Sequence, residues 1–313
     1  MNADFEVELE ALPARYRPRP TIERRNVRLE PSLLWLATPG DAILTRQPWP
    51  VELRDRAEAV GVSLVAFDNP GDHRDRQFSP WGWTPSAIEL ARRSGASADH
   101  PPVDVVARVN SKLFSHALER ELGIEIAGAT VATTLDVLHD AAARACPGAD
   151  DKWVVKGPFG FNARERVLGR GPAIDEPSAR WATRRFARGQ SLVFEPWLDV
   201  SRELGVQLDI GRDKSVNIIG ISTMRTNGAG VTTGFVIGEP VDGRTRAILE
   251  DVARSVGERL AAEGYFGPAN VDALEHSNGL RPLLEINARH SMGLVALAAE
   301  RELRPRVPIL WNP

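Results

Sequence analysis

An α/β fold made of two successive units is predicted by three observations. Between Leu33 and Arg93 the pattern runs strand, helix, strand, helix, as in a small open α/β domain. From Val105 a capped helix leads into a series of short apolar runs with strand character and a long helical stretch, Thr245–Ala262. Near the end, two apolar runs flank Asn278-Gly279, a strong hairpin signal.

The elements follow in order. Met1 to about Arg28 is rich in Arg, Glu and Pro without a sustained hydrophobic period. Residues 1–29 are therefore expected to be an extension, partly disordered or draped over a neighbour. Leu33–Ala37 reads as a buried strand ending at Pro39-Gly40, and Glu52–Val60 as a helix stopped by Gly61. Val62–Phe67 is the next strand, and Thr84 caps a helix over Pro85–Arg93 with proline at its first position. These elements make a domain over 30–104, whose last segment, Gly95–Pro102, has the small, polar composition of a linker. In the second unit Asn110-Ser111 caps a helix with Leu113, Phe114, Ala117, Leu118 and Leu122 on one face, ended by Gly123. Strands are expected at Trp153–Val155, Leu192–Phe194, Leu204–Ile210, Val216–Thr223 and Gly234–Ile237. The long helix, the hairpin and a helix after Ser291 complete the chain, and the unit divides into 105–195 and 196–313.

Composition narrows the function classes. The chain has 313 residues, 42% of them hydrophobic, and a net charge of -3, which offers no electrostatic case for nucleic acid or an anionic membrane. A single cysteine, Cys146, excludes an intrachain disulfide and a Cys-rich metal site. No apolar run is long enough to span a bilayer, and the opening six residues have neither a basic nor an apolar core region. A soluble, cytoplasmic protein is expected.

The residues that bear chemistry converge on anions and cations. Folding the hairpin lays Asp272 beside Glu285, with Asn287 two residues on and so on the same sheet face. Two carboxylates and an amide oxygen form a hard donor set suited to Mg²⁺; the plain alternative is a solvated hairpin with outward charges. Lys156 ends a strand before the loop Gly157–Arg166, which adds Arg164 and Arg166. A fixed lysine followed by a cationic loop suits a phosphate clamp, and a surface turn is an equal reading. Glu195-Pro196-Trp197-Leu198 ends another strand and could sandwich a purine ring, or be an ordinary strand end with a core Trp. Glu203 follows at a spacing that could return a carboxylate to the same cleft, and Lys112 stands at a helix start. Trp81 and Trp83 either wall a pocket or plug a domain interface.

Lysine at a helix start, lysine at a strand end, a Glu-x-aromatic-Leu linker, then Asp272 and Glu285-Ile286-Asn287-Ala288-Arg289: this order resembles the ATP-grasp superfamily from about Val105 to the C-terminus. The unit over 30–104 is similar to the family's pre-grasp domain. The resemblance implies a two-lobed grasp fold and an ATP-dependent carboxylate–amine ligase acting through an acyl phosphate, with release of ADP and phosphate. It implies Asp272, Glu285 and Asn287 as ligands of two Mg²⁺ ions, Mn²⁺ being an alternative metal. Lys112 and Lys156 would hold phosphates, joined by Arg164 and Arg225. Glu195, Trp197 and Leu198 would form the adenine linker, and Glu203 would approach the ribose or the metal. Arg289 would stabilise the acyl phosphate, and His290 would serve as base or substrate contact. The implied partners are ATP, a small carboxylate and an amine, with self-association left open. A small-molecule kinase and a non-catalytic ATP-binding regulator are the competing readings.

Overall fold

A computed structural model describes residues 1–14, 16–160 and 165–312 of the chain. In chain order the elements are α1 (Phe5–Ala11), α2 (Pro20–Leu29), a 3₁₀ helix (Glu30–Trp35), β1 (Ala42–Thr45), α3 (Val51–Ala59), β2 (Ser63–Ala66) and α4 (Pro85–Ser94). There follow α5 (Val103–Val109), α6 (Lys112–Glu121), β3 (Thr130–Ala132), α7 (Leu135–Ala145), β4 (Lys152–Lys156), β5 (Arg166–Arg170), α8 (Glu176–Phe186) and β6 (Leu192–Pro196). The remainder is β7 (Val200–Ile210), β8 (Val216–Thr226), β9 (Thr232–Ile237), α9 (Gly243–Ala262), β10 (Gly267–His276), β11 (Gly279–Asn287), α10 (Met292–Leu303) and β12 (Ile309–Trp311).

Three sheets organise these elements. β1 and β2 pair in parallel through the α3 crossover. A four-stranded antiparallel sheet has the order β3-β6-β4-β5, and a six-stranded one the order β11-β10-β7-β8-β9-β12. The period-two pattern of β7 explains the two faces of the large sheet. Leu204, Val206, Leu208 and Ile210 go into the main core beneath α9, with Leu249, Ala253, Val256 and Leu260. Glu203, Gly205 and Gln207 go to the opposite face. On β10 the same alternation sends Val271 and Ala273 to the core and Asn270 and Asp272 the other way. Among the described residues no helix is long and apolar enough to cross a membrane.

One expectation takes a definite form here and another is corrected. Phe5–Ala11 and Pro20–Leu29 are helices, and Phe5 and Leu9 belong to the main core, 1% and 3% exposed, so the N-terminal segment packs over its neighbour. Phe5, Leu9 and Leu12 recur at helical spacing, and this stripe buries α1. Leu33–Ala37 is not a strand. Glu30-Pro31 starts a 3₁₀ turn straight from the end of α2, with proline where its missing N–H costs nothing. Leu34 is buried, the strand falls later at β1, and apolarity alone could not decide between the two.

Candidate active site

The two antiparallel sheets face each other across a cavity of about 910 Å³. β4 and β6 place Lys156 and Glu195 on its small-sheet side; β7, β10 and β11 place Glu203, Asp272, Glu285 and Asn287 opposite. Lys112, at the start of α6 just after the Ser111 cap, enters between them. The hairpin has the predicted register, Asp272 opposite Glu285. Its turn falls on Ser277-Asn278, one residue before Asn278-Gly279. The ladder then shifts between Asp272 and Leu274, across from Pro282, which cannot donate a backbone hydrogen bond.

The oxygen cluster is held by a polar chain. Asp272 accepts from Asn270 Nδ2 at 2.6 Å and from Asn287 Nδ2 at 2.8 Å. Arg289 donates to Asn287 Oδ1 at 2.8 Å. Behind them Gln207 donates to Asn270 Oδ1 at 2.5 Å and accepts from Ser291 Oγ at 2.6 Å. Room for this network depends on glycine: a Cβ at Gly205 would stand 2.6 Å from Asn270 Oδ1. Burial, then the charge of Glu285, pushes the Asp272 carboxyl up to about 7. That excess of buried negative charge is what a divalent cation relieves, and each carboxylate oxygen still has lone pairs to give. The donor set therefore fits Mg²⁺: Asp272, Glu285 and Asn287 are all hard oxygens on one face.

The cations are held by the protein's own carboxylates. Lys112 donates to Glu285 Oε1 at 2.7 Å and to the Gly160 carbonyl at 2.9 Å. Burial disfavours its charge, but Glu285 and Glu6 outweigh that and raise its pKa. Lys156 donates to Glu195 Oε2 at 2.6 Å. Burial there prevails and lowers the lysine. Arg281 is a site residue that the sequence pattern does not mark. It binds Glu119 through Nε and Nη2 (2.8 Å each) and Glu195 through Nη1 and Nη2 (2.9 and 2.8 Å). Burial would raise Glu195, but Arg281 and then Lys156 hold its carboxyl well below the usual range.

The cavity thus brings together Lys112, Lys156, Glu195, Trp197, Leu198, Glu203, Asp272, Glu285, Asn287 and Arg289. Trp197 lies beneath the Arg166 guanidinium, which stands 5.5 Å from the ring centroid, and the Trp197 backbone N–H donates to the Lys152 carbonyl at 2.8 Å. Glu203 accepts from Thr226 at 2.9 Å, and burial raises its pKa.

Two predicted residues stand elsewhere. Met224 and Thr226 line the cavity, so the alternation of β8 turns Arg225 away, where it pairs with Glu239 at 2.7 Å. His290 is half-buried, and loss of solvent around the ring lowers its pKa; its Nδ1 donates to the Pro80 carbonyl at 3.0 Å against Trp81, and it is not in the cavity wall. Arg164 lies outside the described residues. Trp81 both packs on His290 and lines the cavity.

No protein-family model matches the sequence, and the search of curated proteins found no match. Solved structures do match. N5-carboxyaminoimidazole ribonucleotide synthetase from Thermus thermophilus is 18% identical, with a TM-score of 0.51 over 84% of this chain and 69% of that one. The Staphylococcus aureus N5-carboxyaminoimidazole synthetase, complexed with ADP, is 13% identical with a TM-score of 0.51, covering 82% of this chain and 72% of that one. Biotin carboxylase from Campylobacter jejuni, in a β,γ-ATP complex, is 13% identical with a TM-score of 0.53, covering 84% of this chain and 59% of that one. These neighbours are ATP-grasp proteins, and at such identities the likeness is one of fold. The expected architecture, an N-terminal α/β domain followed by grasp lobes, is the one observed.

Proposed function

We propose that the protein is an ATP-dependent carboxylate–amine ligase that forms ADP and phosphate through an acyl phosphate. The observation that carries this reading is the convergence in one cavity of Lys112, Lys156 and Arg289 with the oxygen trio Asp272, Glu285 and Asn287. Phosphoryl transfer needs charge and positioning more than a protein nucleophile. The structural neighbours supply support of the same kind, since two were solved with ADP or an ATP-type ligand.

In the first step a substrate carboxylate oxygen attacks the γ-phosphorus, the bond to the β–γ bridging oxygen breaks and ADP leaves. In the second an amine attacks the acyl carbon, phosphate departs, and the nitrogen loses a proton to water. Lys112 and Lys156 hold the phosphates, exchanging Glu285 and Glu195 for phosphate oxygens. Trp197 and Leu198 flank the adenine. When Mg²⁺ is bound by Asp272, Glu285 and Asn287, it offsets the charge of the triphosphate. Arg289 keeps its Nε–H and one Nη1 hydrogen without a partner among the described residues, so its fork can meet the acyl-phosphate oxygens while it holds Asn287.

Amine-dependent ADP release from a panel of small carboxylates and amino acids tests the activity, and phosphorylated product without any amine would mark a kinase instead. Lys156→Met is expected to raise the apparent KM for ATP by about tenfold with little change in melting temperature, because Glu195 retains Arg281. Steady-state kinetics beside a thermal melt checks both parts. Arg289→Lys keeps the charge but loses the planar fork. It should bind ATP nearly as the wild type does while amide formation falls on the order of a hundredfold. Equal, small losses in both would make Arg289 a structural residue.

A further inference from the structure

We propose that Glu6, carried on the N-terminal helix α1, is a substrate-binding residue that receives the positively charged amine of the second substrate. It rests on the ligase reading for the nature of that substrate, and otherwise on the surroundings of one carboxylate.

Glu6 lines the same cavity as the oxygen trio, although it comes from outside both grasp sheets. Its side chain is 5% exposed. Oε1 accepts from Arg289 Nη2 at 2.7 Å, while Oε2 is buried with no hydrogen-bond partner among the described residues. A buried carboxylate oxygen left without a donor costs several times what an exposed one does, so a donor arriving with substrate is strongly favoured.

Holding α1 in place does not require this carboxylate. Phe5 and Leu9 anchor the helix in the core. The Asn2 side chain exchanges two hydrogen bonds with the Gly82 backbone, at 2.8 and 3.2 Å. Glu8 accepts from the backbone and hydroxyl of Ser86 at 2.8 and 2.6 Å, and Glu10 pairs with Arg185 of α8 at 3.0 Å. The helix is docked at several points around Glu6, and the one residue of this set with an orphan oxygen is the one beside Arg289.

An ammonium group at Glu6 would stand next to the guanidinium assigned to the acyl phosphate. The ammonium would pass one proton to the Glu6 carboxylate before its nitrogen attacks, so the amine and the acyl phosphate would be held at the two ends of one ion pair. A neutral or anionic cosubstrate gains nothing there, so the class selected is a primary amine bound as its cation.

The test is calorimetric titration of the full chain, with Mg²⁺ and a non-hydrolysable ATP analogue present. The titrants are ammonium chloride, ethanolamine, putrescine and the standard amino acids. At least one amine should bind wild type and bind Glu6→Gln about tenfold or more weakly, with nucleotide affinity unchanged. Glu10→Gln, which removes a docking pair of the same helix, should leave amine affinity within about twofold. Amines that bind both variants alike, or lose equally in Glu10→Gln, or bind none of the proteins, overturn the assignment. Glu6-dependent amine binding without ADP release from wild-type enzyme and ATP would sustain it and reject the ligase reading alone.

Discussion

Glu285→Gln should lower amine-dependent ADP release by about a hundredfold or more and leave the protein folded. The side chain stands opposite Asp272 on the hairpin and is bound by Lys112 at 2.7 Å. Glutamine fills the same space, and its carbonyl oxygen can still accept from Lys112, which also keeps the Gly160 carbonyl. What disappears is one negative charge in a cluster where half-buried carboxylates already repel: Glu285 is the second cause, after burial, of the raised Asp272 pKa. Relieving that repulsion favours the folded chain, and losing the ion pair to Lys112 opposes it, so the two stability effects offset. The loss of charge also weakens a divalent cation's hold and with it the stabilisation of the transferring phosphoryl group. The variant should therefore separate the two quantities, with a melting temperature within a few degrees of wild type and activity nearly gone. Wild-type turnover by the folded variant would remove Glu285 from the metal set.

The hairpin was legible because every rule that governs it is local: alternation, a turn signal and carboxylates on one face. The same holds for the Ser111 and Thr84 caps, whose side chains accept from Leu113 and Ala87 as their positions predict. In the small lobe β3, α7, β5 and α8 lie outside the sequence reading, although the helix caps are legible there. Thr134 accepts from Val137, and Asp175 accepts from Ser178 ahead of Pro177 at the helix start. Long-range partners leave no such local trace. Glu6 and Arg289 are far apart in the chain, and a charged seven-residue helix looks like a solvated tail until its apolar stripe is matched to a core. The resemblance alone implies a site role for Arg225, and one step of strand alternation sends it to the opposite face. Arg281, between Leu280 and Pro282, carries no local signal of its role, because an arginine in a strand is most often a surface charge.

Arg281→Met should be the most destabilising single change at the site, by about 3–5 kcal/mol. The guanidinium is 2% exposed, and its partners Glu119 and Glu195 are 1% and 5% exposed. Methionine leaves Glu119 with no ion-pair partner among the described residues and Glu195 with Lys156 alone, so a carboxylate is stranded in a medium that cannot solvate it. Burial already raises the Glu119 pKa despite the arginine; without it that carboxylate must take up a proton or open the lobe contact between α6 and β11. The loss should therefore belong to the uncompensated charge and not to the missing side chain. Glu119→Leu combined with Arg281→Met removes one carboxylate with the arginine and leaves Lys156 and Glu195 as a balanced pair. Replacing a buried ion pair by apolar groups is often close to neutral. The double variant should recover most of the stability that Arg281→Met loses, measured by denaturant unfolding of wild type, both single variants and the double. Glu195 would then pull on Lys156 without the competing guanidinium, so ATP should bind more weakly even where the fold is restored. Additive losses in the cycle would mean that packing, and not charge balance, holds the two lobes together.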